Sequence, residues 1–179
     1  VVKLLLESGA QKSLYHENHG NIPIENALNR GRFDMAKLLL KYHEKDKKKA
    51  LENLGEAFGK AAQMQNLELV QLILGVTGPD IIHSRDSIGR TALHRSCTGS
   101  DDTEVMEFLL ESGAAVNAVD NDGDTPLFYA IGFARPDCAI VFLAAGATVN
   151  HRITDCSTPL DIAPTSGPCS LTHLTLPIL

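Results

Sequence analysis

His94 and Cys97 stand one helical turn apart in "TALHRSC", a spacing that could pair a thiol nucleophile with an imidazole base. His16 and His19 are spaced for a shared metal ion, but no Cys or second His pair is positioned to complete a tetrahedral set. Cys156, Cys169 and His173 form a loosely zinc-like series, yet the segment is broken by Pro164 and Pro168 and lacks a fourth ligand. There is no GxGxxG, no GxxxxGK[ST], no GxSxG and no HExxH. Nothing in the residue pattern specifies an enzyme, a metal or a cofactor, and none is expected.

The bulk properties narrow the partners. The chain has 179 residues, 44% hydrophobic and 21% charged, enough to bury a sizeable core. Its formal net charge of −6 argues against a nucleic-acid phosphate backbone, whose binding needs dense Lys and Arg. Four cysteines at wide spacing, without CxxC, fit free thiols in a reducing compartment, so a cytoplasmic or nuclear setting is expected. No apolar run reaches the roughly 18 residues a membrane span needs. No signal peptide is visible, and the first residue, Val1, reads as the start of a piece of a longer chain.

Any reactive residue must be positioned by elements, and these repeat. "NDGDTPLFYAIG" (residues 121–132) aligns with "HGNIPIENALNRGRFDMAKLLL", "NLGEAFGKAAQMQNLELVQLIL", "IGRTALHRSCTGSDDTEVMEFLL" and "DCSTPLDIA". Anchored on Ile22, Glu56, Thr91, Thr125 and Thr158, the intervals are 34, 35, 34 and 33 residues. A second marker at Leu4, Leu38, Leu72, Phe108 and Phe142 gives 34, 34, 36 and 34. A double marker of this period is the signature of a stacked helical array.

The residue types assign the parts of each copy. Gly20, Gly89 and Gly123 supply a positive φ two residues before the Thr position. Thr caps the first helix, and Pro126 or Pro159 opens it where no N–H is needed. Ala27, Ala61, Ala62 and Ala130 are small enough for close helix approach. The second helix carries an apolar stripe: Val105, Phe108 and Leu109 in one copy, Ile140 and Leu143 in the next. Asp101 with Glu104 reads as a capping-box pair at its start, and Gly9, Gly113 and Gly146 as glycines closing its end.

"GRTALH", "GDTPLF", "LLESGAAVNAVD" and "LAAGATVNHR" resemble the ankyrin repeat family residue by residue. The resemblance implies an all-α repeat solenoid of paired antiparallel helices joined by β-hairpin or loop fingers. It covers residues 1–163: a half repeat at 1–15, repeats at about 16–49, 50–84, 85–118 and 119–151, and a partial repeat at 152–163. Residues 164–179 form an irregular Pro-containing tail. The copies from Ser84 to Arg152 match best, whereas Leu54 stands where a turn glycine belongs, so that hairpin is expected to be distorted. The family assigns the His94 position to a hydrogen bond with Thr91 and the Cys97 position to a small helix residue, which supplies a structural reading of that pair. "KYHEKDKKK" (residues 41–49) reads as a solvated connection, with nuclear import or phosphate contact as the alternative.

Members of the family bind proteins without catalysis, so the resemblance implies a protein partner, engaged by a monomer through the concave groove and finger tips. The tip candidates are Arg85, Ser87, Ile88 and Arg90, then Val119, Asn121, Asp122 and Asp124, then Arg152, Ile153 and Asp155. Tyr129 and Phe133 are the aromatic candidates on the helix that follows the second finger. The alternative is a recognition arm of a larger enzyme or ubiquitin-ligase adaptor. "SLTHLTLPIL" is faintly similar to adaptor tails of that kind but lacks their Leu and Cys spacing.

Overall fold

The apolar stripes of successive copies can be buried only against each other, and the computed structural model stacks them accordingly. It describes residues 23–41 and 47–151. In chain order the helices are α1 (Pro23–Asn29), α2 (Phe33–Lys41), α3 (Lys47–Gln63), α4 (Leu67–Thr77), a 3-10 turn (Pro79–His83), α5 (Ala92–Gly99), α6 (Glu104–Glu111), α7 (Pro126–Gly132) and α8 (Pro136–Ala144). Helices α1, α3, α5 and α7 pack in sequence as an inner row, and α2, α4 and α6 follow as an outer row. One continuous apolar core runs between the rows, with Leu28, Phe58, Leu93 and Leu127 fully buried on the inner helices and Leu40, Ile73, Leu109 and Phe142 on the outer ones. The four helix alanines are all buried, as close approach requires.

Local chemistry sets the helix ends. Asn66 caps α4 by accepting from the Leu69 N–H at 3.0 Å, and Thr125 caps α7 by accepting from Phe128 N–H at 3.3 Å. Gly113 and Gly146 adopt φ +94° and +86°. At each, the next N–H reaches back to the carbonyl five residues earlier, Ala114 to Leu109 and Ala147 to Phe142, both at 2.9 Å.

One open alternative is decided and three expectations are revised. First, no strand occurs among the described residues, so the fingers are loops rather than β-hairpins. Second, α3 starts at Lys47 and runs through Leu54, which is fully buried; a helix therefore takes the place of the 50–84 finger, and Lys47–Lys49 lie in a helix rather than a loop. Third, Asp101 caps the neighbouring repeat: its carboxylate accepts from Asp137 N–H and Cys138 N–H of α8 at 3.4 and 3.2 Å, while Asp102 accepts from Glu104 N–H at 3.1 Å. The 36-residue interval at this copy supplies the extra chain that carries Asp101 across. Fourth, Ile140 is exposed, because α8 turns Cys138, Ala139 and Phe142 inward instead.

Candidate protein-binding face

The fingers are built on two aspartates. Asp86 Oδ1 accepts from the N–H groups of Ile88 and Arg90 at 3.1 and 2.9 Å, and Oδ2 accepts from Arg90 Nε at 2.8 Å. Asp120 repeats the motif 34 residues later: Oδ1 accepts from Asp122 N–H and Asp124 N–H at 3.0 and 2.9 Å, and Oδ2 accepts from the Tyr129 hydroxyl at 2.8 Å. Each loop is closed by a backbone bond, Asp86 N–H to Arg90 O and Asp120 N–H to Asp124 O, both 3.0 Å. Burial opposes ionisation of Asp86, but the Arg90 hydrogen bonds and charge hold its carboxyl below the usual range.

Lateral bonds join the two fingers into one ledge. Asn121 N–H donates to Ile88 O at 3.0 Å, and Arg85 Nη1 donates to Gly89 O at 2.8 Å and also to Val119 O. Gly89, at φ +84°, is required twice over: a Cβ there would lie 2.8 Å from the Asn121 backbone nitrogen. His151 Nε2 continues the series by donating to Gly123 O at 3.0 Å.

His94 is the pin beneath this ledge. Its Nδ1 accepts from Thr91 N–H at 3.1 Å and lies 3.0 Å from Thr91 Oγ1, so Nε2 carries the proton and donates to Asp124 O at 3.0 Å. Burial lowers its pKa and keeps the ring neutral. Both nitrogens are therefore engaged away from Cys97, whose fully buried thiol donates to backbone carbonyls of Leu93 and His94 and is pushed upward by burial. Cys138 is likewise pushed up to about 12, by burial and then by its interactions with Asp101. Neither thiol has the thiolate character a nucleophile needs, and the structural reading of the His94–Cys97 pair holds. Among the described residues no group of His, Cys, Asp and Glu could hold a metal ion. His16, His19, Cys156, Cys169 and His173 lie outside those residues.

Of the expected contact residues, Arg85, Ser87, Ile88, Asn121 and Asp122 are exposed along the ledge, whereas Arg90, Val119, Asp124 and Tyr129 are half-buried. Tyr129 stands edge-on to His94, with centroids 5.4 Å apart, and stacks on Phe133 at 6.1 Å. Burial, followed by the bond to Asp120, pushes its phenol upward, so it belongs to the scaffold as well as to the face. Phe133 is 50% exposed and Ile88 46%. Arg152, Ile153 and Asp155 lie outside the described residues. Asp86, Asp120 and Arg95 were not singled out by the sequence, although the 34-residue recurrence of Asp three places before the turn glycine was there to be read. Arg95 is 5% exposed and braces two repeats: Nη1 donates to Glu56 Oε1 at 2.5 Å and Nη2 to Gln63 Oε1 at 3.3 Å.

A double row of helices with finger loops along one edge defines a helical-repeat solenoid. The family model for ankyrin repeats, in three copies, matches residues 58–153, more than half the chain, and the protein belongs to the ankyrin-repeat family. It is 33% identical over 150 residues to the nuclear factor NF-kappa-B p105 subunit of Gallus gallus, covering 82% of this chain and 15% of that protein. It is 36% identical over 80 residues to the E3 ubiquitin-protein ligase KEG of Arabidopsis thaliana, covering 44% of this chain and 5% of that one. The same identity over 80 residues relates it to the human ankyrin repeat and SOCS box protein 16, covering 44% and 17%. The chain thus spans a small fraction of these relatives. No helix among the described residues is long and apolar enough to cross a membrane.

Proposed function

We propose that this array is a non-enzymatic protein-binding module that receives a partner protein on the ledge formed by the 85–90 and 119–124 fingers and on the adjoining inner helices. The observation that carries the reading is the hydrogen-bonded ledge itself. Ile88, Asn121 and Asp122 are held exposed by Asp86, Asp120 and Arg85, and none of the three exposed side chains is needed for the core. Rigid presentation reduces the ordering entropy lost on association. Exposed Phe133 supplies an aromatic anchor. The expected setting is a reducing cytoplasmic or nuclear one, consistent with the free thiols Cys97 and Cys138, and the expected state is monomeric. A second reading, a recognition arm of a larger enzyme or ubiquitin-ligase adaptor, draws support from the likeness to a protein named as a ubiquitin ligase. The experiment places a photo-crosslinking amino acid at Ile88, Phe133 or the outer-row Ile140 in the full-length protein in cells. Crosslinks to a protein from Ile88 and Phe133 support the ledge. Crosslinks from Ile140 alone, or from neither inner position, overturn it.

A further inference from the structure

The ledge has an open end. Asn121 N–H donates to Ile88 O at 3.0 Å, and Asn121 Nδ2 reaches towards Ser87 O at 3.5 Å, so the second finger leans on two adjacent carbonyls of the first. One period earlier in the chain, Ser87 holds the place of Asn121, and the matching acceptor would be the carbonyl of Leu54. Leu54 lies inside α3, where carbonyls are engaged in the helix's own bonds, so the first finger has no neighbour to lean on. Ser87 is exposed, and neither its N–H nor its hydroxyl donates to any described residue. The place of the missing finger is an open notch of about 430 Å³, lined by Gly55 and Glu56 of α3, by Asp80 and by residues 83–87. That volume falls within the range of about 300–1,000 Å³ usual for binding sites. No apolar side chain lines the notch. Its carboxylates Glu56 and Asp86 are ion-paired with Arg95 and Arg90, and Arg85 Nη1 is turned onto the carbonyls of Gly89 and Val119. Selection by charge is therefore weak, and the free groups at its edge are the donors of Ser87.

We infer that this notch receives a polar turn of a partner protein, which takes the place of the missing finger and accepts from the Ser87 N–H and hydroxyl through two adjacent backbone carbonyls. The inference rests on the protein-binding reading above and names how the partner continues the ledge. The contact between the two fingers is its internal precedent, because Asn121 makes the same pair of approaches to Ile88 O and Ser87 O. An edge donor without an acceptor is a template for a further segment, and such pairing draws its affinity from the main chain. The finger presents that donor rigidly. Gly89 N–H closes a turn on Asp86 O at 3.0 Å, and Asp86 Oδ1 holds the N–H groups of Ile88 and Arg90, so none of the bonds that shape the loop uses the Ser87 N–H.

The test is an amide-resolved NMR titration of the whole 179-residue chain with the blocked peptide Arg-Asp-Ser-Ile-Gly-Arg, which copies the finger that Asn121 leans on, and with a scrambled peptide of the same composition. A saturable downfield shift of the Ser87 amide proton is expected with the finger peptide and not with the scrambled one. Ser87→Pro removes both donors and suits the loop, since residue 87 is the second position of a turn without positive φ at either central residue, where Pro is favoured. It should weaken binding roughly tenfold or more, two neutral hydrogen bonds being lost, and leave the urea midpoint unchanged. Ser87→Ala keeps the N–H and should fall between Ser87→Pro and the parent. An unmoved Ser87 amide, equal shifts with both peptides, or a Ser87→Pro chain that binds like the parent overturns the inference. A Ser87-dependent dimer in sedimentation would give the notch to a second copy of the chain and overturn it too. A partner crosslinked at Ile88 and Phe133 combined with an unmoved Ser87 amide sinks this inference alone. Ser87-dependent peptide binding without crosslinks sinks the ledge reading instead.

Discussion

Replacing Gly99 by Ala should split the seam between the second and third full repeats. A Cβ at Gly99 would lie 2.0 Å from the carbonyl oxygen of Gln63, the last residue of α3. Carbon–oxygen contacts settle near 3.3 Å, so α3 and α5 must part by roughly 1.3 Å at this end. The obstacle is backbone, not the far end of a flexible side chain, and it cannot swing aside. Overpacking of this kind costs about 1–3 kcal/mol. The same displacement stretches two cross-repeat bonds, Gln63 Nε2 to Thr98 Oγ1 at 3.1 Å and Gln65 Nε2 to Ser96 O at 2.7 Å. A net loss of about 2–3 kcal/mol follows, or roughly 5–10 °C in melting midpoint for a chain of this size. Gly132→Ala is the matched control: no atom lies within 4 Å of its added Cβ, so it should gain about 0.5–1 kcal/mol from reduced chain entropy. Urea and thermal unfolding by circular dichroism measure both, and amide exchange at Cys97 and Thr98 localises the damage. A Gly99→Ala protein within about 0.5 kcal/mol of the parent would refute the close-approach argument.

Other consequences are as direct. Ala134 sits at φ +53°, so Ala134→Gly should stabilise by roughly 0.5–1 kcal/mol in urea titrations, whereas Gln65→Gly, from the same φ, should gain nothing because it loses the bond to Ser96 O. His94 has a folded pKa below its unfolded value of 6.5, so its contribution is complete above that pH and is lost as the pH falls below it. Unfolding free energy should therefore drop by up to about 1.4 kcal/mol per unit below pH 6.5, and His94→Asn should flatten that slope. Tyr129→Phe removes the hydroxyl bonded to Asp120 and should cost about 1 kcal/mol by chemical denaturation, with a stability equal to the parent's arguing against a scaffold role for the phenol. In a Cys156→Ser/Cys169→Ser background, Cys97 and Cys138 should resist thiol reagents until the chain is denatured, and rapid labelling in buffer would contradict their burial.

What the sequence made legible is what depends on short-range geometry. Thr125 with Pro126, the turn glycines Gly89 and Gly123, and the terminal glycines Gly113 and Gly146 each have a local conformational reason, and each appears where it was read. Leu54 in place of a turn glycine marked the copy whose finger departs from the others, but not that a helix would fill the vacancy. That outcome depends on Leu54 finding a buried site, which is a tertiary fact. Asp101 was assigned to its own helix because a capping box is a local pattern, whereas its carboxylate accepts from N–H groups 36 and 37 residues away. Arg95 was invisible for the same reason: its partners Glu56 and Gln63 belong to the preceding repeat, and only Gly59, whose added Cβ would meet Arg95 Cδ at 2.8 Å, leaves it room. The tip residues could be ranked by position on the finger but not by engagement, so Arg90 and Tyr129 stood level with Ile88 until their bonds to Asp86 and Asp120 were seen.

The cross-repeat bonds among the described residues differ in where they lie along the stack, and this decides how neighbouring repeats pass load to one another. Between the repeats of α1–α2 and α3–α4, a polar link on the outer row is the ion pair of Lys37 with Glu68. The next seam adds Gln63–Thr98, Gln65–Ser96 and the Arg95 brace. The seam after that is stitched from finger to outer helix, by Asn121 to Ile88, His94 to Asp124, Arg135 to Gly99 and Asp101 to α8. In a solenoid each seam yields separately. Under tension between its ends, the seam between the two finger-bearing repeats is therefore held at the finger and at the outer helix together, so neither edge can hinge open alone. Those two repeats would move under load as one block.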